Sequence, residues 1–204
     1  AYEITYGDWS SDVCSSDLSI NMLASHVNVH VGGIDLRFPH HENERAQSNA
    51  LTQSETVDTW VHGEHLLFEG RKMSKSAGNV VLLQDIIDRG FDPLALRFSL
   101  LENRYRSQMD LSWASLEAAH STLRRWRQAM ASWGESSEIK FDSEINSALM
   151  NDLDTPRAMQ RLRTIEKDQT LGSLDKRAIF LYADQVLGLD LTRSEEHTSE
   201  LQSP

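Results

Sequence analysis

Side chains that could bind a metal ion or a ligand are concentrated in the segment GGIDLRFPHHENE, residues 32–44. Good helix formers follow Pro39, so the pattern predicts a helix that carries His40 and Glu44 at i and i+4 on one face, with His41 pointing elsewhere. An imidazole and a carboxylate placed in this way can hold one metal ion together. Two ligands do not complete a tetrahedral zinc site, so at least one more must come from outside this segment. The competing interpretation is a salt-bridged surface helix.

Two adjacent glycines in the same segment favour a ligand site over that plain helix. Gly32 and Gly33 have no Cβ and let a ligand approach the backbone closely. Asp35 follows them and can accept hydrogen bonds from hydroxyl or ammonium groups. The segment is therefore a candidate binding site.

A second group of candidate functional side chains, which could bind phosphate groups, lies in the segment RKMSKSAGN, residues 71–79. Lys72 and Lys75, with two serines and a glycine, stand between a strand-like run and a following helix, which suits a mobile loop over a polyphosphate. Both lysines would neutralise charge as a pyrophosphate leaves, mainly in the transition state. A solvated surface loop has a similar composition, but the string KMSKS is far more specific than that composition.

Both ends of the chain match translated sequencing adapter. Residues Gly7–Leu18 read GDWSSDVCSSDL, which one adapter strand encodes, and residues Arg193–Ser203 read RSEEHTSELQS, which the reverse complement encodes in a shifted frame. We therefore expect residues 1–18 and 193–204 to be adapter and exclude them from fold reasoning. Cys14 lies in this part and is expected to be neither a metal ligand nor a nucleophile.

The charge and composition of the remainder are those of an ordinary soluble protein. The net charge of −11 includes −4 from residues 1–18 and −2 from residues 193–204, which leaves about −5. With one cysteine in the chain a disulfide framework is impossible. No apolar run approaches the ~20 residues that a membrane span needs, so no membrane partner is expected.

Three zones must position these side chains. Residues 20–79 mix short β-rich runs and glycine turns with a helical segment at His40–Leu51, which is typical of α/β structure. Residues 80–101 predict one or two helices, and the chain beyond Trp113 is helical by its three- and four-residue apolar spacing. The expected strands are Val27–Val31, Trp60–Val61 and His65–Phe68. The expected late helices are Ala114–Trp133, Ser143–Met150, Thr155–Glu166 and Asp175–Leu187, with a linker at Gly134–Ile139.

Taken together, these motifs resemble the class I aminoacyl-tRNA synthetases, and among them the cysteinyl-tRNA synthetase family. KMSKS, WVHGEHLLFEG and GGIDLRFPHHENE carry the resemblance, and RYRSQMDLSW and DLDTPRA extend it along the chain. The resemblance implies an α/β fold for residues 19–112, as the C-terminal part of a Rossmann-type catalytic domain. For residues 113–192 it implies an all-α region that binds tRNA and connects the catalytic domain to the part of the protein that recognises the anticodon.

The resemblance also implies a reaction and its ligands. Cysteine is joined to ATP, bound with Mg²⁺, as an adenylate and is then transferred to tRNA(Cys) in the cytoplasm. Lys72 and Lys75 would serve the ATP phosphates. The other residues implied to bind ATP are Gly33, Asp35, Trp60, His62 and Gly63. The family's HIGH-like motif, the other half of the ATP site, is missing, so we expect this chain by itself to be inactive.

Zn²⁺ is the metal that the resemblance implies. His40 and Glu44 match two of its four ligands, the other two being cysteines further upstream, and His30 would line the cysteine pocket. Zinc holds a thiolate directly, whereas a serine hydroxyl is a poor substitute. Coordination therefore separates cysteine from serine more strongly than packing, which distinguishes one small group by only ~1–3 kcal/mol.

Two other functions stay open. Val31 and Ile34 replace a glycine and a serine of the family pattern HGGGSD, which favours a catalytically dead paralogue, although KMSKS is intact. GFDPLALR, DLDTP and LGLDL resemble the cysteine:glucosaminyl-inositol ligase of mycothiol synthesis, whereas HHENERAQ and RYRSQM favour the synthetase.

Arginines in the helical region are candidate contacts for tRNA phosphates, because local charge rather than net charge binds a nucleic-acid backbone. The alternative is a solvated helix face with glutamate partners, among them Glu117 and Glu166. The candidates are Arg124, Arg125, Arg127, Arg157, Arg161 and Arg163.

Overall fold

The computed structural model describes residues 26–73 and 80–194, and their contacts divide into two compact units. The first unit contains residues up to His65 together with Tyr105–Gln108. The second contains Leu66–Arg104 and the chain from Met109 onward. The predicted boundary between an α/β part and a helical part lay at residue 112, so the contact units divide the chain differently.

The first unit is built on two parallel strands, β1 (Val27–Gly33) and β2 (Val57–Gly63). Parallel strands need a crossover connection, which here contains helix α1 (Glu42–Thr52). Between β1 and α1 the chain makes a 3-10 turn at Ile34–Leu36 and an irregular helical turn at Arg37–His41. The β1 strand prediction is confirmed and extended by two residues.

Buried side chains in the described part of this unit are polar. They are His41, Ser48 and Thr56. Several large apolar side chains of the same unit are exposed instead. These are Val29, Val31, Leu36, Phe38 and Leu51. Among the described residues of this unit, backbone pairing and polar contacts therefore contribute more than apolar burial.

The second unit begins with a small sheet in the order β4–β3–β5. Strand β3 (Leu66–Phe68) pairs antiparallel with β4 (Arg71–Lys72) and parallel with β5 (Met109–Leu111). The two-residue turn between β3 and β4 has left-handed φ values of 52° at Glu69 and 73° at Gly70, the conformation that tight hairpins favour. The sequence did not predict β5.

Six helices of this unit lie in the described ranges. They are α2 (Leu83–Asp88), α3 (Pro93–Leu101), α4 (Trp113–Ser132), α5 (Ser143–Met150), α6 (Thr155–Lys167) and α7 (Ser173–Leu187). Asp92, Ser112, Asp142 and Asp154 accept hydrogen bonds from the first-turn amides of α3 to α6. These caps explain why α4, α5 and α6 begin within one residue of their predicted starts.

The apolar core packs helices α3, α4, α5, α6 and α7 together. Trp126 of α4 is fully buried, with its ring centroid 5.2 Å from that of Phe98 and 5.3 Å from that of Phe180, both edge to face. None of the helices in the described ranges combines the length and the apolar composition that crossing a membrane requires.

A buried ion pair supports this core. Arg127 and Asp92 are 4% and 3% exposed, and Nη1 of the arginine lies 2.5 Å from Oδ2 of the aspartate. Arg127 also donates to the carbonyl oxygens of Leu189 and Asp190 at 2.9 and 3.0 Å. The side chain thereby attaches the segment after α7 to α4.

That burial corrects the hypothesis that Arg127 contacts tRNA. Three further candidates pair with carboxylates: Arg125 with Glu166, Arg161 with Asp142, and Arg163 with Glu102. For these three arginines the described contacts match the alternative interpretation, in which carboxylates are their partners, with Glu166 among them. Arg157 is exposed.

Candidate functional site

An aromatic and imidazole cluster lies on the β1–β2 sheet of the first unit. His30 of β1 is paired in register with Trp60 of β2, and their ring centroids are 4.6 Å apart. The ring of His41 lies 4.7 Å from that of His30 and 5.1 Å from that of Trp60. The sheet therefore positions two imidazoles beside one indole.

Glu44 of α1 stands between two histidines. Its Oε1 lies 3.5 Å from Nε2 of His40, and its Oε2 lies 3.3 Å from Nε2 of His30. The Glu44 side chain is 14% exposed, and Oε2 is a buried atom that accepts no hydrogen bond from the described residues. The predicted approach of His40 and Glu44 at i and i+4 is present. His30 was predicted to line the same pocket, and it contacts the carboxylate itself.

His41 points into this cluster, which corrects the expectation that it points elsewhere. The turn before α1 is not a regular helix, because Phe38 is extended, and α1 begins only at Glu42. His41 is 4% exposed, and its Nδ1 lies 2.9 Å from Nε2 of His62. The adjacent histidines and the preceding glycines were the available signal, but regular helical geometry misplaced the second ring.

The environment of His41 favours its neutral form. Burial lowers the pKa of the imidazole below its ordinary value of 6.5, and three neighbouring imidazoles lower it further. Gly32 leaves the space for the ring, because a Cβ there would lie 2.4 Å from Cε1 of His41. A neutral imidazole is the form that binds a metal.

The donor atoms fit a transition-metal ion such as zinc. His30, His41 and Glu44 each offer one ligand atom, and these atoms lie within 4.8 Å of one another. Imidazole and carboxylate are ordinary zinc ligands, and Oε2 of Glu44, which accepts no hydrogen bond from the described residues, could also bind a cation.

An open cavity of about 560 Å³ lies beside this cluster, within the first unit. The predicted ATP residues Trp60 and His62 line it, together with His41. Its charged lining side chains are Arg37, Glu42, Arg45, Glu64 and Arg106. The cavity is large enough for a small-molecule ligand.

Gly33 and Gly63, two more of the predicted ATP residues, face each other in register at the carboxyl ends of β1 and β2. Crevices at this end of parallel strands are where α/β sheets bind ligands. Asp35 is exposed in the turn that follows β1, with its carboxylate beside Gly33.

Lys72, one of the two predicted phosphate-binding lysines, belongs to the second unit. Lys72 is exposed in β4 and is paired in register with Leu67. Lys75 lies outside the described residues, so its role stays a prediction.

Residues 8–121 match the family model described as tRNA synthetases class I (C) catalytic domain. The chain belongs to this family. The match begins inside the part of the chain expected to be adapter, so the adapter origin of residues 1–18 stays a prediction.

Individual proteins to which this chain is similar are named as cysteine–tRNA ligases. The chain is 41% identical over 155 residues to the cysteine–tRNA ligase of Opitutus terrae, covering 74% of this chain and 33% of that protein. It is 31% identical over 222 residues to the cysteine–tRNA ligase of Treponema denticola, covering 95% and 44%. The cysteine–tRNA ligase of Ruegeria pomeroyi is 39% identical over 163 residues, covering 79% and 35%. The chain thus spans less than half the length of these relatives.

A solved structure shares the fold. The LeuRS–tRNA–LeuAMS ternary complex of Agrobacterium radiobacter K84 has a TM-score of 0.63 at 16% identity, covering 87% of this chain and 28% of that one. The expected α/β class I synthetase fold is thereby confirmed.

Proposed function

We propose that this chain is part of a cysteine–tRNA ligase, which activates cysteine with ATP and transfers it to tRNA(Cys). Relatives from three bacterial genera that bear that name, together with membership of the class I (C) catalytic domain family, support the proposal. The observation that carries it is the carboxylate of Glu44, held between imidazoles beside an open cavity at the carboxyl ends of parallel strands. The cytoplasm is the compartment that we propose for it.

In this proposal His40 and Glu44 hold zinc together with ligands from elsewhere in the parent protein. Bound zinc would supply a Lewis acid that binds the thiolate of cysteine and not the hydroxyl of serine. His30 lines the same pocket and, through its 3.3 Å approach to Glu44, orients that carboxylate. Selectivity then rests on a coordinating atom, which discriminates more strongly than a difference in size.

ATP with Mg²⁺ would occupy the cavity next to this pocket. Trp60 offers an aromatic surface for a base, and His62 offers an imidazole ring in the lining of the cavity. Gly33 and Gly63 allow close approach of the ligand to the backbone, and Asp35 accepts from a hydroxyl or an ammonium group. Lys72 and Lys75 would neutralise the departing pyrophosphate.

The deciding experiment uses the parent protein with its own N-terminus. We expect it to charge tRNA(Cys) with cysteine and to reject serine, and we expect His40→Ala or Glu44→Ala to abolish both the selectivity and the activity. Cysteine transfer to glucosaminyl-inositol with none to tRNA would assign the protein to the mycothiol ligase instead. Nucleotide binding without transfer to either acceptor would identify a dead paralogue.

The lysine loop has a separate test in the same parent. Lys75→Ala should slow cysteine-dependent pyrophosphate exchange on the order of 100-fold, with a much smaller effect on cysteine binding, because the charge it meets develops in the transition state. Arg71→Ala, which removes an exposed cation from the same segment, is the matched control. An unchanged exchange rate in Lys75→Ala would remove the loop from the mechanism.

A further inference from the structure

We propose that Asp110 and Glu69 are positioning residues for Lys72, because together they fix the turn that leads into β4. The inference rests on the proposed function, in which Lys72 meets the phosphates of ATP. Neither carboxylate is assigned a contact with a ligand, since each acts through the backbone of the turn. All the contacts that carry the inference lie within the second unit.

Strand β4 is too short to fix the lysine by itself. It has two residues, in which Arg71 is paired with Phe68 and Lys72 with Leu67, and it lies at the edge of its sheet. A two-stranded hairpin alone is at best marginally stable in water. The position of Lys72 therefore depends on what holds the turn between β3 and β4.

Asp110 holds this turn from β5. Its Oδ1 and Oδ2 both accept from the backbone amide of Gly70, at 2.9 and 3.1 Å. A carboxylate forms stronger hydrogen bonds than a neutral acceptor does. Asp110 and Lys72 are both paired in register with Leu67, one on each side of β3. The carboxylate therefore anchors the turn at the level of the sheet where the lysine stands.

Glu69 holds the same turn from α4. Its backbone amide donates to the carbonyl oxygen of Leu111 at 2.8 Å, and its Oε1 accepts from the amide of Trp113 at 3.0 Å. Trp113 is the first residue of α4, whose first turn contains no acidic residue of its own. A carboxylate is favourable at that end of a helix. The turn is thereby attached to a 20-residue helix as well as to a strand.

The conformation of Glu69 is the independent sign that these contacts matter. Its φ of 52° is left-handed, which is uncommon for a residue other than glycine and persists where surrounding contacts impose it. Asparagine is the usual residue at this place in a tight hairpin. Asparagine has a shorter side chain, whereas the glutamate reaches the amide of Trp113. The residue type is thus explained by the attachment to α4 and not by the turn alone.

The test uses cysteine-dependent pyrophosphate exchange by the parent protein. We expect Asp110→Ala to lower kcat about 10-fold and to change the KM for cysteine less than about 2-fold, because a displaced lysine weakens the transition state and not the binding of cysteine. Asp110→Asn keeps one acceptor oxygen and should recover most of the rate. Asp168→Ala is the matched control, because Asp168 also accepts from the amide of a turn residue, Thr170, at 2.7 Å. It should leave kcat unchanged.

A double variant tests whether the aspartate acts through the lysine. Asp110→Ala added to Lys72→Ala should slow exchange no further, because the group that Asp110 positions is already absent. Losses that multiply in the double variant would overturn the proposal. An unaffected Asp110→Ala beside a slowed Lys72→Ala would overturn this inference alone. An unchanged rate in Lys72→Ala would remove the lysine from the proposed function and this inference with it.

Hydrogen exchange of the 204-residue chain tests the anchoring without any activity. Amides of residues 66–73 should exchange faster in Asp110→Ala than in Asp168→Ala, because the turn has lost an anchor. Equal exchange in the two variants would overturn the proposal. If Asp110→Ala does not fold, as judged by far-UV circular dichroism, Glu69→Asn decides the question. That variant suits the left-handed turn but shortens the side chain, so it should lower kcat with the KM for cysteine unchanged, and an unaltered kcat would contradict the role of Glu69.

Discussion

At the residue scale, Glu44 connects two sets of donors through its two oxygens. Oε1 approaches His40, which lies in the irregular turn just before α1, and Oε2 approaches His30, which belongs to a strand. The first contact joins residues four apart in the sequence, so the sequence spacing predicted it. The contact between Glu44 and His30 depends on how α1 packs on β1. The spacing of residues in the sequence could therefore not predict it.

Gly32 is predicted to be necessary for the His41 side of this cluster. Gly32→Ala would place a Cβ 2.4 Å from Cε1 of His41, so the ring must move. We expect the variant to lose about 1–3 kcal/mol of unfolding free energy in urea, because overpacking forces the ring or the strand to shift. Gly63→Ala is the matched control on the neighbouring strand, because its Cβ would lie 3.7 Å from the carbonyl oxygen of Tyr105, an ordinary contact. Equal losses of unfolding free energy in the two variants would contradict this role for Gly32.

At the element scale, the sequence predicted the late helices closely. The helix Ser143–Met150 has the predicted bounds, and Thr155–Lys167 differs by one residue at its end. Apolar periodicity and an aspartate cap are local signals, so these helices needed no tertiary information. The strand Met109–Leu111 is three residues long and is specified by pairing with β3, which no local pattern contains. The position of His41 was missed for the same kind of reason, because an irregular turn sets it.

Asp142 is predicted to make the stability of the α5 region depend on pH. Burial raises the pKa of this carboxyl, but hydrogen bonds from Arg161 and from the amides of Ile145 and Glu144 outweigh it and leave the pKa below its ordinary 3.8. A lowered pKa in the folded state stabilises the fold above pH 3.8, and this contribution is lost as the pH falls through and below that value.

We therefore expect Asp142→Asn to cost about 1 kcal/mol of unfolding free energy at pH 7 and to flatten the decline of stability in acid. Urea unfolding at pH 7 and at acid pH measures both effects. Asp175→Asn, which removes an exposed ion pair with Lys140, is the control and should cost less at pH 7. A variant whose stability declines in acid as steeply as that of the unaltered chain would contradict the assignment.

We predict that the contacts of Arg127 between α4 and the segment after α7 contribute substantially to the free energy of unfolding. Arg127→Ala removes the buried partner of Asp92 and the donor to two carbonyl oxygens, so we expect a loss of about 3 kcal/mol in urea unfolding. Arg193 remains as a second partner of Asp92. Arg125→Ala breaks a more exposed pair with Glu166 and should cost about 1 kcal/mol or less. Similar losses in both variants would show that the buried pair adds nothing beyond a surface contact.

At the scale of the whole molecule, the described residues place the apolar core entirely in the second unit. The buried apolar side chains of the described residues run from Phe68 to Leu191, and the described residues of the first unit bury only polar ones. Apolar burial is the main favourable contribution to folding. On the contacts of the described residues, the unit that carries the candidate site therefore has less of this contribution.

Hydrogen exchange should make this difference measurable. We expect the amides of β1 and β2 to exchange at least about tenfold faster than those of α4 and α7, because local opening costs least where few apolar contacts are broken. Exchange of the 204-residue chain, followed by mass spectrometry of its peptides, tests this. The amides of α6, which belongs to the same core as α4, are the internal control and should be protected like those of α4. Equal protection of β1 and α4 would contradict the prediction, since the first unit would then draw its stability from something other than the contacts described.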